Sequence, residues 1–123
     1  MLAIDDEADA RNLVANILTQ YQAEVLAVAS ATEALAAIAS FQPTLIISDI
    51  GMPKTDGYAL IQQIRALPDE QGGNVPAIAL TAYASEGDQE RAIAAGFQAH
   101  LAKPVEPKQL IETVMALMRQ DVD

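Results

Sequence analysis

Short apolar runs bounded by turn residues alternate along this chain with longer stretches whose apolar residues recur every three or four positions. That alternation predicts a parallel sheet with crossover helices, because parallel neighbours need a long connection and a helix supplies it. The strand candidates are Leu2–Ile4, Glu24–Val28, Thr44–Ser48, Ala77–Leu80 and Ala99–Ala102. Several are apolar at consecutive positions, the mark of strands covered on both faces.

Helical periodicity fills the intervals. Leu13, Val14, Ile17, Leu18 and Tyr21 fall on one face of a helix over 8–21, with Asp6 as its candidate cap. A second helix starts at Ser30, whose spacing to Glu33 fits a capping box; it turns Leu35 and Ile38 inward and ends before Pro43. A third, over 58–66, presents Leu60, Ile61 and Ile64 and stops near Pro68. The fifth, over 107–119, carries Leu110, Ile111, Val114 and Leu117 inward, with Pro107 suited to its first turn. Between them the fourth, over 86–95, has Ile93 as its only large aliphatic residue and otherwise alanines, so it is expected to be the most loosely held. The polar stretch 120–123 reads as the start of a tail.

At 123 residues, 51% of them hydrophobic, residues 1–123 are expected to form one domain with a core of its own. The formal charge of −10 argues against direct binding of nucleic acid or anionic membranes by this segment. No cysteine is present, which excludes disulfides and thiolate metal sites. Apolar runs fall short of the roughly 18 residues of a membrane span, and a signal-peptide pattern is lacking at the start, so the reading is a cytoplasmic segment.

In an open parallel sheet, ligands bind beyond the carboxyl ends of the strands, and there the residue types converge chemically. Asp5, Asp6 and Glu7 follow the first strand candidate, Asp49 the third, Thr81 the fourth, and Lys103 with Pro104 the fifth. Clustered carboxylates suit a hard cation such as Mg²⁺. An aspartate can also attack phosphorus to form an acyl phosphate, for which a metal and an ammonium are the neutralising partners.

With these residues in place, the chain resembles a response-regulator receiver domain over essentially its whole length. The motifs are Ile4-Asp5-Asp6-Glu7, Asp49-Ile50-Gly51-Met52-Pro53 with Asp56-Gly57, Leu80-Thr81-Ala82, and Lys103-Pro104. The resemblance implies a flavodoxin-like (βα)5 three-layer α/β sandwich with strand order 2-1-3-4-5. By the same resemblance Asp49 is the phospho-acceptor, Asp6 a direct Mg²⁺ ligand, and Asp5 an acid reaching the ion directly or through water. The Gly51 carbonyl would complete the protein ligands, Thr81 would hydrogen-bond the phosphoryl group, and Lys103 would pair with it. A cis bond is implied between Lys103 and Pro104. His100 stands where the family usually carries a switching tyrosine or phenylalanine, and Gly51 and Tyr83 occupy positions that tune phosphoryl lifetime. Neither offers a group to orient a hydrolytic water, which points to slow self-hydrolysis.

Singly, each residue has a plainer reading. Asp5 and Asp6 could favour the positive end of the first helix, Thr81 could cap the fourth, Lys103 could be a solvated charge, Gly57 could serve a turn, and His100 could be a strand-edge residue. Joint placement at strand ends favours the functional reading. The function it implies is a switch that catalyses Mg²⁺-dependent transfer from a phosphohistidine partner, a histidine kinase or histidine phosphotransfer protein, to Asp49. The first helix would meet this donor, and the face from the fourth helix to the fifth would meet an output domain or target. An aspartate-nucleophile phosphatase is the competing enzyme class, but its Asp-x-Asp after the first strand and its cap are not found here. A phosphate-independent receiver-like module commonly loses the acceptor or the acid pair, both kept here. The wording around Asp49 and Lys103 resembles receivers attached to hybrid sensor histidine kinases, so a segment of a longer chain is one reading left open.

Overall fold

A computed structural model describes residues 1–52, 55–82 and 86–119, except for the Glu86 side chain. Along the chain run β1 (Leu2–Ile4), α1 (Ala8–Gln20), β2 (Leu26–Val28), α2 (Ala31–Phe41), β3 (Ile46–Asp49), α3 (Gly57–Arg65), a 3₁₀ turn (Asp69–Gln71), β4 (Ala77–Thr81), α4 (Glu86–Ala95), β5 (Ala99–Ala102) and α5 (Pro107–Arg119). The strands form one parallel sheet in the order β2-β1-β3-β4-β5, as the resemblance implied. β1 leads outward to β2 on one side and to β3 on the other, so the carboxyl ends of β1 and β3 flank the point where the order reverses. In sheets of this kind a ligand crevice forms there.

Alternation along each strand sends side chains into two separate cores. One face of the sheet contributes Leu2, Ile4, Ile46, Ala77 and Ala79 to a core closed by Ala34 and Ile38 of α2, Leu60, Ile61 and Ile64 of α3, and Ala92 of α4. The other contributes Ala3, Ile47, Ile78, Leu80 and Leu101, closed by Val14, Ile17 and Leu18 of α1 and Leu110, Val114 and Leu117 of α5. The interior strands β1, β3 and β4 are buried along their whole length, which is why they read as continuous apolar runs.

Local sequence explains most boundaries and corrects some expectations. Ser30 caps α2 by accepting from the Glu33 amide, but the Glu33 carboxylate reaches back to the Ala29 amide rather than to that of Ser30. α1 is preceded by Glu7, not Asp6, and no side-chain hydrogen bond caps it. Leu13 and Tyr21, expected inward, are 39% and 42% exposed, because the sheet and α5 cover only the narrower stripe of Val14, Ile17 and Leu18. Asp56, not singled out from the sequence as a cap, starts α3 by accepting from the Ala59 amide. β2 begins at Leu26, later than expected, and β3 runs through Asp49. The tail expected over 120–123 lies outside the described residues.

Candidate functional site

Asp5 leaves β1 fully committed to its neighbours. Its amide donates to the Val28 carbonyl at 3.1 Å, its Oδ1 accepts from the Glu7 amide at 2.9 Å, and its carbonyl accepts from the Arg11 guanidinium at 2.9 Å. Its Oδ2 lies 2.8 Å from Lys103 Nζ, an ion contact without hydrogen-bond alignment. Asp49, the last residue of β3, also meets Lys103, with Nζ at 3.3 Å from Oδ1, and accepts from the Gly51 amide at 3.3 Å. Asp5 and Asp49 are buried, whereas Asp6 is exposed.

One ammonium is therefore shared by two buried carboxylates. Burial raises the Asp49 pKa above the ordinary aspartate value, the Asp5 charge raises it further, and Lys103 and the Gly51 amide pull the other way without prevailing. For Lys103, burial acts to lower the pKa, but contact with Asp5 and the charges of Asp49 and Asp5 outweigh it and leave the value raised. The two shifts are consistent: the cation gains two anions, while each anion gains half a cation and a repelling neighbour. Glu7, named with the converging acids in the sequence but given no role there, stands 3.8 Å from the same ammonium; it is exposed and adds little.

The carboxylates of Asp5, Asp6 and Asp49 each offer an oxygen within 4.8 Å of the others. Such a donor set fits a hard divalent cation, whose charge would offset the burial and the Asp5 repulsion that raise the Asp49 pKa. Gly51 is exposed on the rim, and nothing would stand within 4 Å of a Cβ there, so its glycine is not a packing requirement. Gly57 has a steric reason: a Cβ would sit 2.5 Å from the Asp49 carbonyl oxygen, while its amide donates to the Ile50 carbonyl at 2.9 Å. Its backbone closes the loop behind Asp49, a close approach rather than the turn conformation considered from sequence.

Thr81 ends β4, and its carbonyl accepts from the Lys103 amide at 2.8 Å, so the fourth and fifth strand ends are tied beside the carboxylates. The bond from Lys103 to Pro104 is cis. His100 lies away from the cluster, in register with Ala79 of β4 on the face under α4, and its Nε2 is buried without a hydrogen-bond partner among the described residues. Pro53 and Tyr83 lie outside the described residues.

A doubly wound sheet carries an acidic cluster that could hold a metal ion, and a lysine beside it, at its switch point, where sheets of this kind form a ligand crevice. The family model of the response regulator receiver domain matches residues 1–115, and the chain belongs to that family: it is a phospho-accepting signalling switch of two-component systems. An uncharacterised 14.6 kDa protein of Leptolyngbya boryana is 43% identical over 114 residues, covering 93% of this chain and 86% of that one. The structure of the chemotaxis protein CheY4 of Vibrio cholerae superposes with a TM-score of 0.87 at 30% identity, over 94% of this chain and 95% of that one. The receiver domain of the sensor histidine kinase PA1611 from Pseudomonas aeruginosa, solved with a magnesium ion coordinated in its active site cleft, gives 0.84 at 31% identity over 94% and 93%. Against several regulators among its curated relatives the chain spans about half their length. No helix among the described residues is long and apolar enough to cross a membrane.

Proposed function

We propose that Asp49 is the phospho-acceptor, and that Asp6, Asp49 and the Gly51 carbonyl hold a Mg²⁺ ion, with Asp5 reaching it directly or through water. The observation that carries this reading is the grouping of three carboxylates within 4.8 Å around a lysine shared by Asp5 and Asp49. A carboxylate oxygen of Asp49 attacks phosphorus; the bond from phosphorus to the donor nitrogen breaks, and the donor imidazole keeps that electron pair and takes up a proton. Lys103 then pairs with the phosphoryl oxygens, and the Thr81 hydroxyl donates to them. The ion, when bound, neutralises the charge that the phosphoryl oxygens and carboxylates bring together. Hydrolysis reverses the attachment: water attacks phosphorus and Asp49 leaves as carboxylate. The open rim at Gly51 offers no side chain to orient that water, which supports a slow rate.

The donor is a phosphohistidine on a histidine kinase or histidine phosphotransfer protein, and α1 is where it docks. A cleft of about 390 Å³ lined by Ala10, Leu13, Val14, Pro104 and Val105 opens beside Lys103, and the exposure of Leu13 supports an apolar partner surface there. An output domain or target would meet α4 and α5, where Ile93 is 47% exposed. The setting is cytoplasmic. Acetyl phosphate with Mg²⁺ is expected to add the mass of one phosphoryl group to the parent and none to Asp49→Asn. Labelling retained in that variant would move the acceptor elsewhere.

A further inference from the structure

The β1–α1 loop is held by a residue that the phosphotransfer reading has not used. The amide, carbonyl and Oδ1 of Asp5 are hydrogen-bonded and its Oδ2 meets the Lys103 ammonium, so its backbone is held in place. The carboxylate of Asp6 is different: it is exposed, and no ion pair or hydrogen bond holds it among the described residues. Its direction is therefore set by its backbone. The carbonyl that Arg11 Nη1 grips at 2.9 Å belongs to the planar peptide unit joining Asp5 to Asp6. Fixing that plane fixes where the Asp6 side chain starts.

Arg11 is itself well placed to do this. Arg11, Val14 and Leu18 share one face of α1, and the latter two are buried against the sheet. A cation near a helix N-terminus is disfavoured by the helix dipole, and the guanidinium is in no ion pair among the described residues, although Asp9 lies in the same first turns of α1. Departures from a local rule without local compensation tend to mark functional positions.

We propose that Arg11 is a positioning residue for the cation site, holding the Asp5–Asp6 peptide so that Asp6 faces Asp49. The proposal rests on the reading of Asp6 as a Mg²⁺ ligand, and the sign of one substitution tests it. Were Arg11 to act through charge alone, Arg11→Met would remove a repelling cation and tighten Mg²⁺ binding. Positioning requires the opposite: calorimetric titration of the unphosphorylated chain with Mg²⁺ is expected to show Arg11→Met weaker by roughly three- to tenfold, the worth of one hydrogen bond. Arg11→Lys, which keeps the charge and part of the donor reach, is expected to fall between. In the metal-free protein, amide exchange at Asp6 and Glu7 is expected to speed up in Arg11→Met while the α1 core amides are unchanged. Binding by Arg11→Met that is unchanged or tighter overturns the proposal. Should the parent bind no Mg²⁺, the assignment of the cation site fails, and the exchange measurement still decides on Arg11, since unchanged exchange at Asp6 and Glu7 overturns its positioning role.

Discussion

Burial and the neighbouring Asp5 both resist ionisation of Asp49, and Lys103 with the Gly51 amide does not fully offset them. A carboxyl raised in the fold binds more protons there than in the unfolded chain between the ordinary aspartate value and the raised one. Stability therefore falls as pH rises through that window, and above it the ionised Asp49 is a net cost. Asp49→Asn is expected to raise the melting temperature of the metal-free protein at neutral pH by about a few degrees. The gain is expected to shrink as pH is lowered through the window. A metal-free melt series from acid to neutral pH checks both signs, and a variant that melts below the parent at neutral pH contradicts the account. Gly57 offers a second prediction. A Cβ there meets the Asp49 carbonyl, which is backbone and cannot swing aside, so Gly57→Ala is expected to cost about 2 kcal/mol in urea unfolding and to slow acetyl phosphate labelling. That Asp5, Asp6, Asp49 and Lys103 come together was legible in the sequence, because charged residues at the ends of apolar strands need partners. The reason for Gly57 was not, since the backbone it approaches is brought near only by the fold.

Helix and strand periods placed the elements because each has one buried stripe or two buried faces, and that is a property of local sequence. What they missed depends on neighbours. The inward face assigned to α1 was too wide, as Leu13 and Tyr21 show, because stripe width is set by what packs opposite. The weak attachment expected of α4 is visible in the structure: Ala92 is its buried contact, while Ile93 faces solvent. Besides β5, α3 supports it and the turn that follows. The Arg91 guanidinium lies 4.1 Å from the centre of the Tyr58 ring, and Arg65 donates to the Gly96 and Gly73 carbonyls and to the Gln98 side chain. Gly96, at φ 130°, leaves room for that guanidinium, since a Cβ would come within 2.9 Å of Arg65 Cγ. Arg65→Met strands these acceptors and is expected to cost about 2 kcal/mol, read as a lower urea midpoint at unchanged slope. His100 lies beneath the same helix, with a partnerless buried Nε2 and small neighbours such as Ala79. A buried polar atom left unpaired is a reason for that layer to rearrange if, as the proposed switch requires, Thr81 turns toward a phosphoryl group. His100→Ala is expected to leave phosphorylation of Asp49 largely intact, confirmed by mass, while reducing the phosphate-induced NMR shifts between Ala82 and Gly96. Unchanged shifts would make His100 a strand-edge residue only.

For the molecule as a whole, the formal charge of −10 separates two kinds of ligand. A polyanion such as duplex DNA gains affinity by exchanging counterions for protein cations, and here Arg11, Arg65, Arg91 and Lys103 are already occupied with carbonyls, a ring or carboxylates. Tight duplex binding by this segment at physiological salt is not expected, and a gel shift there would contradict the reading. A small divalent cation is favoured by the same charge, and its binding at the proposed site would be linked to folding, because the three carboxylates, two from the loop after β1 and one from the end of β3, converge only in the native state. A ligand that binds only the folded chain stabilises it by RT ln(1 + [L]/Kd), about 2.7 kcal/mol at a concentration one hundred times Kd. Mg²⁺ is thus expected to raise the melting temperature of the parent progressively with concentration. In Asp6→Ala, which removes the exposed carboxylate while leaving the Asp5–Lys103–Asp49 contacts in place, most of that rise is expected to vanish at the same concentrations. NaCl matched in ionic strength controls for screening of the net charge, which stabilises both proteins without regard to the site. An Asp6→Ala protein whose melting temperature climbs with Mg²⁺ as steeply as the parent's would show that the ion is held elsewhere, and would remove Asp6 from the cation site.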